Sequence, residues 1–470
     1  MGGTAAERPP VGSTADDRAT TADGLGTPVS PRIPNAPPAR VTLVDDRVQH
    51  DERRLARFGI RKIESRHLRL YTDVAPERAD GLPALADAAF PQLETFFGPL
   101  PPTADGKPFQ VNGYLMADRE RFERAGLVPP VLPSRFHGQQ VGRYFWMFEQ
   151  TSDYYLRHLL LHEFTHCYTV ALQRAAEPLW YLEGVAEYMG THLLRRRDGR
   201  LQLRCGVYPD APDAFRGHGR IELVRIDRER NGIRGLGYVA GLSAQDFRRR
   251  TEAYAWAWAL CSFLSRHPHY RDRFRRVRRR AATMPFPLAM QDAFGDVLPR
   301  LKVEWAEFAA NICYGFDFDR AAIEFVDGTP LPVGERRTVR IDVDRGWQST
   351  GVRVSPTLRY RIVADGRYVL ATEPVEWWCE PQGISFDYVA GRPLGVLLAG
   401  VLPQEALRST PAAGEWDDRV ATFDVAVVGR EAVIAPHERG TLYLRINDGY
   451  DRLADNRGQL AVQIEAVPVR

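Results

Sequence analysis

Two histidines four residues apart, His162 and His166, frame the pentapeptide His162-Glu163-Phe164-Thr165-His166. On an α-helix, residues i and i+4 share a face, so both imidazoles can meet one cation. Glu163 projects from the neighbouring position, within reach of a proton on a metal-bound water. The preceding run, His158-Leu159-Leu160-Leu161, contains neither Gly nor Pro, so a helix is expected there. Few patterns constrain a chain as strongly, because the spacing demands a helix and two imidazoles aimed at one point.

A second segment completes the pattern. Trp180-Tyr181-Leu182-Glu183-Gly184-Val185-Ala186-Glu187-Tyr188 reads as a further helix after the break at Pro178. The linker from His166 has room to finish one helix, turn, and start an antiparallel one facing it. Glu183 then supplies a third ligand, and a tetrahedral Zn²⁺ keeps a fourth position for water, as catalytic zinc does. Glu187, one turn further on the same face, is placed to hold the outer nitrogen of a zinc-bound histidine. His158 is a weaker candidate for the same supporting role. Cys167 directly follows His166 but is rotated away from it on the helix, so it is not expected to be a ligand.

HEFTH followed by WYLEGVAEY resembles the gluzincin metallopeptidases: thermolysin, the aminopeptidase N family and the peptidase MA-like domains. The resemblance covers roughly residues 60–310 and implies that Glu183 is the third zinc ligand and Glu163 the general base. In the aminopeptidase N family a tyrosine opening a later helix donates to the tetrahedral intermediate. Tyr254-Ala255-Trp256-Ala257 resembles that placement, without the family's Lys-Gly. No G-x-M-E-N-like run precedes the HExxH to capture a free amine, so an endopeptidase is preferred to an aminopeptidase.

The chain is long enough for several cores, at 470 residues of which 44% are hydrophobic. Its net charge of +3 is too balanced to argue for nucleic acid. The dense basic run at 271–280 reads as a solvated helix face. Five scattered cysteines with no C-x-x-C pair read as reduced thiols. No apolar run approaches the ~20 residues needed to span a bilayer. The amino terminus lacks a charged-then-apolar signal pattern, so a cytoplasmic location is the default, and an extracytoplasmic one follows if the start is incomplete.

Three regions are expected: 1–40, 41–318 and 319–470. The first is rich in Pro, Gly, Ala and Thr and too poor in large apolar residues to offset its ordering entropy, so disorder is expected. The second, an α+β metallopeptidase-like domain with a mixed sheet, starts with strands at 68–72 and 110–116, a helix across 79–97 and a short helix from Asp118. A strand at 139–148 comes just before the HExxH helix, and within it 142–148 is the candidate edge strand for pairing with an extended peptide. A buried helix follows at 251–266, and a helix at 299–309 closes the domain. After Phe318 short alternating runs separated by turns predict an all-β sandwich.

One loop of that sandwich carries hard oxygen donors. Asp448, Asp455 and Asn456 lie between the run ending in Ile446-Asn447 and the last strand, a donor set suited to Ca²⁺. The stretch 440–458 resembles the calcium-dependent galactophilic lectins of the PA-I type, a likeness spanning roughly 330–467. It implies that the Arg452 carbonyl is a further calcium ligand and that Gln382 contacts sugar. Asp455 stands where the family has Asn, and Cys379 replaces a nearby His, which puts galactose affinity in question. The expected function is therefore a zinc peptidase, acting on peptide or protein, with an accessory carbohydrate- or surface-binding domain. The competing expectation is a non-catalytic glycan-binding protein on a zinc-stabilised scaffold. A third is a peptidase-like domain acting on a non-peptide amide or ester.

Overall fold

The structure, a computed structural model, describes residues 42–45, 47–133, 137–174, 177–198, 200–407 and 416–468. The segment expected to be disordered, 1–40, lies outside the described residues. From Thr42 onward the chain forms one compact unit that mixes helices and several sheets, a multidomain α+β arrangement.

A mixed sheet of five strands comes first: β1 (Arg61–Glu64), β2 (Leu68–Thr72), β3 (Val111–Met116), β4 (Gly138–Val141) and β5 (Tyr144–Phe148). The order across it is β1-β2-β3-β5-β4, with β2, β3 and β5 parallel and both edge strands antiparallel to their neighbours. Alternation along each strand sorts the side chains to two faces. Leu68, Leu70, Val111, Leu115, Phe145 and Met147 join one core with the helices Leu82–Phe97 and Asp153–Ala171. Tyr71, Tyr114, Met116 and Trp146 face the other way, onto Leu55, Phe122 and Leu127. Both faces are covered, which is why every residue of β3 is buried.

The stretch 139–148 is not one strand, as the sequence suggested, but a hairpin. Gly142 adopts φ +60° between β4 and β5 and turns the chain back. The expected edge strand, 142–148, is consequently internal, and β4 occupies the edge.

Ser152 caps the helix Asp153–Ala171 by accepting from the Tyr155 N–H. Pro178 opens the next helix, Leu179–Gly190. That helix packs on the helix Thr251–Arg266 through Gly184, where an added Cβ would stand 2.6 Å from the Ala257 carbonyl oxygen and 2.7 Å from Cys261 Sγ. The glycine lets two backbones touch and thereby brings Glu183 and Tyr254 to one wall.

Beyond residue 328 two sheets stack face to face. One orders Asp424–Val427, Leu397–Pro403, Gly440–Ile446, Gln348–Val354 and Thr329–Pro330. The other orders Glu431–Ile434, Leu358–Asp365, Gln459–Pro468 and Arg336–Asp342. Their inner faces share a core of Ile341, Val352, Ile362, Leu442, Leu444, Val462 and Ile464. A further cluster, Val303 with Ile323, Trp347, Leu398, Phe423 and Tyr443, joins the helix Leu298–Asn311 to this sandwich.

Candidate metal centre

The helix Asp153–Ala171 presents His162 and His166 on one face, and the helix Leu179–Gly190 brings Glu183 opposite. The two Nε2 atoms lie 3.0 Å apart. Glu183 Oε2 stands 3.4 Å from His162 Nε2 and 3.3 Å from His166 Nε2. A tetrahedral zinc with bonds of 2.0–2.1 Å needs ligand atoms about 3.3 Å apart, so the triangle has the edges such a site requires. Burial raises the Glu183 carboxyl, but the His166 and His162 imidazoles outweigh it and hold the group down at about 2. It is therefore an anion, ready to act as a ligand.

Glu163 is buried, and burial pushes its carboxyl up to about 8, with His166 opposing and Glu183 and Glu187 adding to the rise. The start of β4 closes on it: a Cβ on Gly138 would stand 2.2 Å from Glu163 Oε1. The sheet edge and the candidate base are thus immediate neighbours. Gly138 is not legible in the sequence, because its role depends on the hairpin being recognised first. Tyr254 reaches the same centre from the helix Thr251–Arg266, its ring centroid 6.5 Å from that of His162. Burial and then the carboxylates of Glu183, Glu187 and Glu163 raise its phenol, which stays protonated as a donor.

Glu187 lies behind His162. Its Oε1 is 3.5 Å from His162 Nδ1, a buried nitrogen that makes no hydrogen bond. Its Oε2 faces His158 Nε2 at 3.1 Å. Arg220, the first residue of the helix Arg220–Asn231, donates to both oxygens, Nε to Oε2 and Nη2 to Oε1, each at 2.9 Å. His158 and Arg220 thus hold the carboxylate through three hydrogen bonds. Sequence reasoning found Glu187 and His158 but missed Arg220, which sits 33 residues away in no recognisable motif. His158, Glu187 and His218 also form a group with metal-ligand spacing, but the Arg220 guanidinium already supplies the cation there. Cys167 is buried with its thiol raised, and its Sγ faces the Tyr144 carbonyl oxygen at 3.8 Å, away from the centre. All five cysteines are free thiols.

In the sandwich, Asp448 and Asn456 come together across their loop. Asn456 Nδ2 donates to Asp448 Oδ2 at 3.0 Å and to the Val343 carbonyl oxygen at 3.1 Å. Asn456 Oδ1 is buried and has no partner. Asp448 is 2% exposed, and burial raises its carboxyl. A buried acceptor without a donor beside a buried carboxylate is a donor set a hard cation would satisfy. Asp455 ends the short turn Leu453–Asp455 and is half-buried, and Arg452 is exposed with Nη1 3.6 Å from Asp387 Oδ2. Gln382 is exposed, and its Nε2 donates to Glu380 Oε2 at 3.1 Å. Cys379 is buried.

No family model matches this chain, and no curated protein matches it. Among solved structures, one described as the EclA N-terminal domain, a PllA-like lectin, is similar at 20% identity, covering 27% of this chain and 94% of that one, with a TM-score of 0.19. Three groups of His and Glu with metal-ligand spacing occur among the described residues, and no helix among them is long and apolar enough to cross a membrane.

Proposed function

We propose that this protein is a zinc-dependent peptidase, an endopeptidase of the gluzincin kind. The observation that carries the reading is the triangle of His162 Nε2, His166 Nε2 and Glu183 Oε2, with edges of 3.0–3.4 Å, facing Glu163 and Tyr254. Bound zinc would polarise a scissile carbonyl and lower the pKa of water. The chain's own groups do the rest. Glu163, poised as a base by the neighbouring cation, takes a proton from the attacking water and passes it to the leaving amine. Tyr254 donates its phenolic O–H toward the oxyanion as charge develops, a contribution of roughly 3–4 kcal/mol for one well-placed donor. Glu187, 3.5 Å from His162 Nδ1, would accept its N–H and so select the tautomer whose Nε2 is free for metal. An extended peptide would pair along the open side of β4, which places its backbone beside Glu163.

The sandwich is the accessory part of this reading. Asp448, Asp455, Asn456 and the Arg452 carbonyl would take Ca²⁺, supported by the unpartnered Asn456 Oδ1, and Gln382 would meet a carbohydrate. The second reading is a glycan-binding protein without catalysis, in which zinc only stabilises the peptidase-like scaffold. Cleavage of a mixed peptide library separates the two. The peptidase reading expects cleavage that a chelator abolishes and added zinc restores. An inert library in the presence of zinc, with glycan capture intact, selects the second reading.

A further inference from the structure

A separate trio lies where the helical part meets the sandwich. His267 caps the end of the helix Thr251–Arg266, Pro268 stiffens the next position, and His269 follows. Glu304 comes from the helix Leu298–Asn311. Its Oε1 stands 3.4 Å from His267 Nε2 and 3.3 Å from His269 Nδ1. These are again the edges of a tetrahedron about 3.3 Å on a side.

The charge balance points the same way. Glu304 is 3% exposed. Its other partners are neutral donors: the Ile323 N–H, 2.7 Å from Oε1, and the Tyr270 hydroxyl, which donates to Oε2. Among the described residues no lysine or arginine pairs with it; only the two imidazoles do. A buried carboxylate calls for a cation. His267 Nδ1 accepts a weak 3.4 Å contact from the His269 N–H. Moving the ring proton from Nε2 to Nδ1 gives up that contact and the 3.4 Å approach of Nε2–H to Glu304 Oε1, and frees Nε2.

We propose that His267, His269 and Glu304 form a second metal site, for a divalent ion of the zinc class, which braces the helical part against the first residues of the sandwich. Two imidazoles and one carboxylate are the donors such an ion selects. Ile323, bonded to the same carboxylate, begins the run into the sandwich, so the ion would tie three segments at one point. The His269 side chain, 41% exposed, forms the solvent side of the trio.

Zinc content of the full chain tests the site. The protein is stripped with a chelator, dialysed against Zn²⁺ and assayed as wild type, His166→Ala, His269→Ala and the double variant. The expected contents are two ions, one, one and none per chain. Glu304→Gln should also lose one ion, which separates a built site from adventitious binding by an exposed histidine. Zinc should raise the unfolding midpoint of His166→Ala and leave that of the double variant unchanged. Wild-type content in His269→Ala, or retention of the second ion in Glu304→Gln, overturns the proposal. Because His269 is exposed, its loss does not threaten folding. The catalytic centre is tested by His166→Ala alone, so the two claims fail separately.

Discussion

Arg220→Met isolates the inner wall of the candidate metal centre at the scale of single residues. It keeps the length of the side chain but releases both oxygens of Glu187. Zinc affinity should fall 10–100-fold, as when an outer partner of a metal-bound histidine is lost. Competition against a chelating dye measures it, and an unchanged affinity would show that Glu187 needs no clamp. His192 makes a different prediction. Burial pushes its imidazole down to about 3 from an ordinary 6.5, while Nδ1 donates to the Gly190 carbonyl oxygen at 2.8 Å. The unfolded chain takes up a proton near pH 6.5 and the folded chain only near pH 3, so stability present above 6.5 is lost as pH falls toward 3. The slope is at most about 1.4 kcal/mol per pH unit from this residue. Urea midpoints between pH 7 and 5 should fall more steeply in the wild type than in His192→Gln. At this scale the sequence was most legible where chemistry follows from spacing. His162, His166, Glu163 and Glu183 are separated by helix turns and one linker, and the fold brings them together. Arg220 was invisible because the contact that gives it meaning is made only after folding.

Pairs of elements carry the next predictions. Gly184→Ala would push a methyl to within 2.6 Å of the Ala257 carbonyl oxygen and force the Glu183 helix away from the Tyr254 helix. Overpacking of this kind costs about 1–3 kcal/mol, and calorimetry should register it together with weaker zinc binding. Gly138→Ala acts at the sheet edge, where its Cβ meets Glu163 Oε1. Displacing the base by about 1 Å should lower turnover roughly 100-fold while zinc stays bound. Full activity in that variant would place the reacting groups elsewhere. The hairpin that puts Gly138 there was misread from sequence. Residues 139–148 are apolar enough to pass as one strand, and Gly142, whose φ of +60° makes the turn, is a single letter in that run. Most elements of the sandwich were readable by their alternation. The ribbon His192–Arg197 with Arg200–Cys205 is not legible in the sequence, because its run of arginines masks the strand pattern.

Taken whole, the molecule from Thr42 onward is one compact unit, and its two halves are hard to separate. Tyr450, on the candidate calcium loop, packs in the core of the helical part and donates to Glu307 Oε1 at 2.6 Å. Lys302, 4% exposed, pairs with Asp417 at 2.8 Å across the same join. A fragment ending at residue 318 would bare Val303 and leave Lys302 buried without its partner, so it should aggregate or unfold, whereas the full chain should melt in one transition. Calcium should raise that single midpoint in the wild type and not in Asn456→Ala. None of these contacts is legible in sequence, since each joins segments more than a hundred residues apart. The proposed hydrolytic centre is best tested by Glu163→Gln, assayed for zinc content and for peptide cleavage in one preparation. The account predicts wild-type zinc and cleavage lowered to near the uncatalysed level. Cleavage at the wild-type rate with zinc in place would contradict it.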